Sequence, residues 1–131
     1  MSESFVLLPL ELWRARRDGG GLFDLRLPPD PAYDLETYQV GDVTWVRHSQ
    51  VPPRGISLWN GPMPAVRQGC WWVIPKETPI PHGLLLVPAK KRHKSGYWHY
   101  TLIPKENMPL AYYQALLRTL VPYAELKHAC S

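Results

Sequence analysis

An α+β domain with a curved, mainly antiparallel sheet is the fold class this sequence predicts. Three observations lead there. Runs rich in β-formers are short and are broken throughout by 15 prolines and nine glycines. Only one stretch, close to the C-terminus, carries a helical period. No repeat, low-complexity segment or linker divides the 131 residues, so a single domain over residues 1–131 is expected.

The elements follow in order. Phe5 to Arg17 reads as a first strand, bent at Pro9, which cannot donate to a central ladder. Along it Leu10, Leu12, Arg14 and Arg16 share one face, and Glu11, Trp13, Ala15 and Arg17 the other. Asp18-Gly-Gly-Gly21 is a turn. Leu22 to Leu27 reads as a short strand stopped by Pro28-Pro-Asp-Pro31. Ala32 to Val40 is too short a sample to show a period, while Val43 to Arg47 alternates as a strand. Ile56 to Trp59 is a strand between Pro52-Pro-Arg-Gly55 and the turn signal Asn60-Gly61. Cys70 to Ile74 is an apolar run between Gly69 and Pro75, as in a buried strand. Lys76 to Gly83 reads as a proline-rich loop, Leu84 to Val87 as a buried strand, and Ala89 to Gly96 as a basic loop. Tyr97 to Ile103 reads as a strand that Pro104 ends. Asn107 suits a helix cap, with Pro109 in the first turn. Leu110, Tyr113, Leu116, Leu117 and Leu120 then recur at helical spacing. Pro122 kinks or restarts that helix, and Tyr123 to His128 adds a turn or two.

Composition narrows the function without naming it. The formal charge of +4 favours anionic partners: nucleic acid, nucleotide or an acidic protein. Six tryptophans and seven tyrosines against two phenylalanines favour rings that carry a polar atom, which suit half-wet recognition surfaces. Cys70 and Cys130 are too few for a disulfide framework. Both read as thiols in a reducing compartment, Cys70 as a small core hydrophobe. No basic leader with an apolar core is visible at the start, and no apolar run approaches the ~20 residues that span a bilayer. A route of export that reads no classical signal is therefore expected, and no membrane insertion. Phosphate-binding glycine loops, dinucleotide fingerprints, nucleophile elbows and zinc-ligand spacings are all missing, so no metal site is expected.

Three segments set a polar residue in an apolar strand. In Leu12-Trp13-Arg14-Ala15, Arg14 shares a face with Leu10 and Leu12, and a buried guanidinium must be paired and hydrogen-bonded. Its planar fork suits phosphate or carboxylate; the alternative is an arginine snorkelling at the strand end. In Arg54-Gly-Ile-Ser-Leu-Trp-Asn60, Ser57 could orient a ligand beside the stacking face of Trp59, or could bond its own backbone. In Tyr97-Trp-His-Tyr-Thr-Leu-Ile103, His99 and Thr101 project from one side and Tyr100 from the other. The run Lys90-Lys-Arg-His-Lys94 reads first as a solvated loop and second as a phosphate clamp.

These segments, in this order, resemble the type VI secretion exported effector toxins founded by the second exported effector of a pseudomonad. Trp72-Val-Ile-Pro-Lys-Glu-Thr-Pro-Ile-Pro81 resembles the family's apolar-Val-Ile-Pro, Thr and Ile-Pro. His99-Tyr-Thr-Leu-Ile-Pro104 with Met108 resembles its His-Tyr-Thr-apolar-apolar-Pro and downstream Met. Leu12 to Ala15 and Gly55 to Asn60 resemble its first-strand and second-strand motifs. The likeness covers about half the chain and leaves Asp18 to Pro53 unmatched.

The resemblance implies an ADP-ribosyltransferase-like fold with a split sheet. It implies NAD as substrate, cleaved at the nicotinamide–ribose bond, with ADP-ribose passed to an acceptor or to water. Arg14 would hold NAD phosphate or ribose, Ser57 would support the nicotinamide-ribose pocket, and Trp59 or Tyr100 would stack on a ring. His99 would stand near the third catalytic position, sharing with Thr101 the task that related enzymes give to a glutamate. No acid lies on Tyr97 to Ile103, and Glu106 is the nearest beyond it. A cognate immunity protein and a component of the secretion apparatus are the implied partners. The implied itinerary runs from the cytoplasm of the producing bacterium, without a classical signal peptide, into the target-cell cytoplasm. Two other readings compete: a basic nucleic-acid-directed toxin with His99 in acid–base work, and a non-catalytic interaction domain. In the leading reading Arg14, Ser57 and His99 converge in one cleft, and Arg14→Ala and Ser57→Ala each abolish toxicity in a folded protein.

Overall fold

The computed structural model describes residues 5–16, 22–62 and 70–128. Within them the architecture is α+β, with antiparallel pairing in every sheet and one α-helix late in the chain. The Asp18 to Gly21 turn, Arg17 and Cys130 lie outside the described residues, and the side chain of Cys70 does too.

Six strands make the main sheet. In spatial order they are Glu125–His128 (β11), Cys70–Ile74 (β6), Leu12–Arg16 (β2), Ile56–Trp59 (β5), His99–Pro104 (β9) and Leu84–Pro88 (β8). Thr37–Val40 (β3) and Val43–Val46 (β4) form a hairpin whose turn places Gly41 at φ +61°, a left-handed conformation that glycine adopts without strain. Met108–Pro109 (β10) adds to β4, and Phe5–Leu7 (β1) pairs with Pro79–Pro81 (β7). Leu110–Arg118 (α1) follows β10 directly.

Alternation along these strands sorts the side chains of the main sheet. Leu12, Ile56, Leu58, Ile74 and Leu102 point into one apolar cluster. From the opposite side α1 adds Tyr113, Leu116 and Leu117, and the small sheet adds Val46 and Met108. Burying each such leucine or isoleucine contributes about 1.5–3 kcal/mol. β6 and the end of β9 read as apolar runs because part of their other face is buried as well, at Trp71, Val73 and Ile103.

Several expected elements differ. The first strand is two strands, because the chain leaves the ladder at Pro9 and Leu10 and takes up a new partner. Leu22 to Leu27 is irregular. The proline-rich Lys76 to Gly83 segment contains β7, which exists by virtue of pairing with β1. β9 begins at His99 rather than Tyr97 and keeps Pro104, opposite Leu84 at the strand end, where a missing N–H is tolerated. Asn107 does not cap α1. Its Oδ1 accepts the His48 N–H at 2.7 Å, and Pro109 stands at the cap position. Val121–Tyr123 is a single 3₁₀ turn, and the residues after it form β11 on the edge of β6 instead of further helix.

The two halves of the main sheet meet at a narrow seam. β2 and β6 stay in register over five residue pairs and β5 and β9 over four, but β2 and β5 share only Trp13 opposite Trp59.

Candidate active site

The β5/β9 pair sets Ser57 opposite Thr101 and Trp59 opposite His99. Opposed residues of an antiparallel pair project to one side, as do residues two apart on one strand. All four therefore share the face turned away from α1. Trp59 and His99 touch, with ring centroids 4.7 Å apart. Neither hydroxyl, and neither ring nitrogen of His99, has a hydrogen-bond partner among the described residues. Thr101 is only 3% exposed, and its hydroxyl keeps hydrogen-bonding capacity to spare. Burial holds the His99 imidazole below its ordinary pKa, and the nearby His93 pushes it further the same way. At neutral pH His99 is an uncharged base.

Aromatic rings extend this face across the sheet. Trp13 lies opposite Trp59 over the seam and packs edge-on against Trp71 at 6.0 Å. Trp59 and His93 form a T-shaped pair with ring centroids 5.1 Å apart. The His93 Nδ1 accepts the Ser95 N–H at 3.1 Å, which puts the neutral ring's proton on Nε2. Glu11, just before β2, accepts the Trp13 indole N–H at 3.1 Å and so brings a carboxylate to this side of the sheet. Asn60 prolongs the β5/β9 ladder: its N–H donates to the Trp98 oxygen, and its Oδ1 accepts the Trp98 N–H at 2.8 Å.

Arg14 stands elsewhere. The register that sets Trp13 against Trp59 turns Arg14 to the opposite face, where it lies across from Trp72 and is 4% exposed. Its guanidinium donates to three main-chain oxygens: Nε to Leu22 (3.1 Å), Nη1 to Ser57 (3.1 Å) and Nη2 to Asp24 (3.4 Å). It meets Ser57 through the backbone, across the seam, and not through the hydroxyl. Tyr100 is also on that face, packed against the apolar cluster and separated from Trp59 by the sheet. The structure thus brings together Ser57, Trp59, His99 and Thr101, and leaves the side chains of Arg14 and Tyr100 on the other side. Trp13, His93 and Glu11 are the neighbours that strand reading alone missed. The pairing of Trp13 with Trp59 brings in Trp13 and Glu11, the fold of the β8–β9 loop brings in His93, and no local pattern encodes either.

The face that holds Arg14 has a concavity of its own. A cavity of about 780 Å³ lies between Leu22 to Leu27, Trp72 and the α1 residues Gln114, Leu117 and Arg118. Among the described residues the buried Trp72 indole N–H has no acceptor.

The family model described as Tse2 ADP-ribosyltransferase toxin matches residues 11–125. The chain belongs to that family. Among the curated proteins nothing matches it. The Tse2-family match starts one residue before β2 and ends on the first residue of β11, so it spans the whole set of residues described above. It also takes in Asp18 to Pro53, where no motif was recognisable. Among the described residues no helix of this family member is long and apolar enough to cross a membrane.

Proposed function

We propose that this chain is an effector toxin that uses NAD as substrate and works on the Ser57/Thr101/His99/Trp59 face of its main sheet. The observation that carries the reading is the set of three polar groups on that face without a hydrogen-bond partner among the described residues, in a member of an ADP-ribosyltransferase toxin family. The nicotinamide–ribose bond breaks with its electron pair leaving on nicotinamide. An acceptor oxygen or nitrogen, or water, forms the new bond to the anomeric carbon, and its proton passes to the His99 imidazole. An uncharged His99 suits this chemistry, because an imidazolium would repel the positive charge that develops on the ribose. Ser57 and Thr101 supply donors for ribose hydroxyls, and Trp59 supplies an aromatic wall.

Arg14 acts at one remove in this reading. By holding the Ser57 oxygen it fixes β5 against β2, and it is a positioning residue rather than a phosphate ligand. Export through a secretion apparatus, arrival in a target-cell cytoplasm and restraint by an immunity protein in the producer complete the proposal. Purified protein mixed with NAD should release nicotinamide, and cell extract should raise the rate if transfer outruns hydrolysis. RNA cleavage that proceeds without NAD, with NAD left intact, would overturn this in favour of a nuclease.

A further inference from the structure

Among the described residues the β8–β9 connection is the strongly charged segment that the proposed chemistry leaves unused. Lys90, Lys91, Arg92 and Lys94 are all exposed, and none makes an ion pair among the described residues. A run of cations is usually a loose solvated loop, but this one is tied down. The Ala89 N–H donates to the His99 oxygen at 2.9 Å, the His93 N–H to Tyr97 and the Gly96 N–H to His93. The His93 ring bonds Ser95 and lies against Trp59. Both ends of the loop are therefore fixed beside His99 and Trp59, and the backbone that carries the four exposed cations is anchored at the border of that face.

We propose that this loop is the docking element for the acceptor and that the acceptor is a single-stranded nucleic acid. The inference rests on the transferase reading given above. Four unpaired cations exceed what one pyrophosphate neutralises but match successive phosphates of a strand. The aromatic surface that continues from the loop (Trp59, then Trp13) offers faces on which unpaired bases stack. A strand lying on the cations would have its bases and ribose hydroxyls beside His99, where a nucleophile must be deprotonated.

The test uses the full chain and a variant with Lys90→Gln, Lys91→Gln, Arg92→Gln and Lys94→Gln. Three quantities are measured for each: nicotinamide release without acceptor, binding of a labelled single-stranded RNA over a range of salt, and entry of ADP-ribose label into that RNA. The wild type should bind and label the RNA. The variant should bind at least about ten-fold more weakly, and its salt slope should fall by up to about 3, at roughly 0.7 per phosphate contact for single strands. Its nicotinamide release should be unchanged. Wild-type protein that releases nicotinamide but neither binds nor labels RNA would overturn the docking role. Loss of nicotinamide release in the variant would do so too, because the cations would then hold the NAD pyrophosphate. Equal binding of polyglutamate, weakened equally by the substitutions, would reassign the loop to an acidic protein partner. No nicotinamide from the wild type would overturn the transferase reading itself and the acceptor role with it.

Discussion

Arg14 donates through Nη1 to the main-chain oxygen of Ser57, 3.1 Å away, across the one place where the main sheet narrows to a single residue pair. The guanidinium stands in for ladder bonds that β2 and β5 do not make. It also reaches Leu22 and Asp24, and so joins both halves of the sheet to the segment after β2. The side chain and hydroxyl of Ser57 remain on the opposite face, beside Thr101. One residue thus belongs to two environments, its oxygen to the scaffold and its hydroxyl to the candidate site.

Arg14→Ala should therefore unfold or loosen the protein instead of leaving a folded, inactive one. Three carbonyls lose a charged donor in a buried setting, at a cost of about 3–5 kcal/mol. Arg14→Lys keeps the charge but not the fork and should cost about 2 kcal/mol. Thermal denaturation is the check, with an expected drop of roughly 10 °C for the alanine variant. A fully stable Arg14→Ala protein with no nicotinamide release would restore the direct ligand role.

Ser57→Ala should behave in the opposite way. It removes the hydroxyl and keeps the oxygen that Arg14 holds, so folding is preserved. Thr101→Val likewise deletes a hydroxyl that has no hydrogen-bond partner among the described residues, at nearly constant volume. Each should lower the rate of nicotinamide release by about 100-fold at most, as when one positioned donor is lost. Their melting temperatures should stay near the wild type, and Thr101→Val could raise it. Wild-type turnover in both variants would remove this face from the chemistry.

Much of this arrangement was legible before any coordinates, and the reasons are local. Ile56 to Trp59 has sharp flanking breakers, and its strand matches the expectation residue for residue. The shared face of Leu12 and Arg14 follows from alternation alone, and both are buried. So does the shared face of His99 and Thr101. Illegible was everything decided by a partner strand. Nothing within Pro79–Pro81 or Glu125–His128 announces a strand until β1 and β6 supply the ladder. The same holds for the site. Which face of β5 adjoins which face of β2 depends on Trp13 meeting Trp59, and that pairing separates Arg14 from the residues it was expected to join.

Tyr113 makes a further stability test. Its hydroxyl donates to the Leu102 oxygen at 2.6 Å and accepts the Ile56 N–H at 3.4 Å, so it bridges β5 and β9 where their pairing begins. Burial raises its pKa well beyond the ordinary phenol range, so it stays protonated and donating. Tyr113→Phe should cost about 1–3 kcal/mol by leaving two buried main-chain groups short of a partner. Gly55 makes room for this junction, since a Cβ there would meet the Leu102 carbonyl oxygen, a backbone atom that cannot swing aside. Gly55→Ala should destabilise as well. Urea denaturation of both variants measures these costs, and nicotinamide release at low temperature should survive in whatever fraction stays folded.

His99 gives the proposal a pH signature whose sign is set by its environment. Burial and the nearby His93 hold the imidazole below its ordinary pKa of about 6.5. The folded chain therefore binds this proton less readily than the unfolded chain. The stability that follows is complete above about pH 6.5 and is lost progressively as pH falls from there through the folded value. His99→Gln should flatten that part of the stability curve, measured by urea midpoints between about pH 7 and pH 5. If the neutral imidazole takes the acceptor's proton, nicotinamide release should hold steady as pH falls through the ordinary histidine range and drop only below it. His93→Ala removes one of the two causes and opens the site to water, so the acid limb should move to higher pH. A limb that stays where it was in His93→Ala, or that persists in His99→Gln, would mean that the titrating group is not His99.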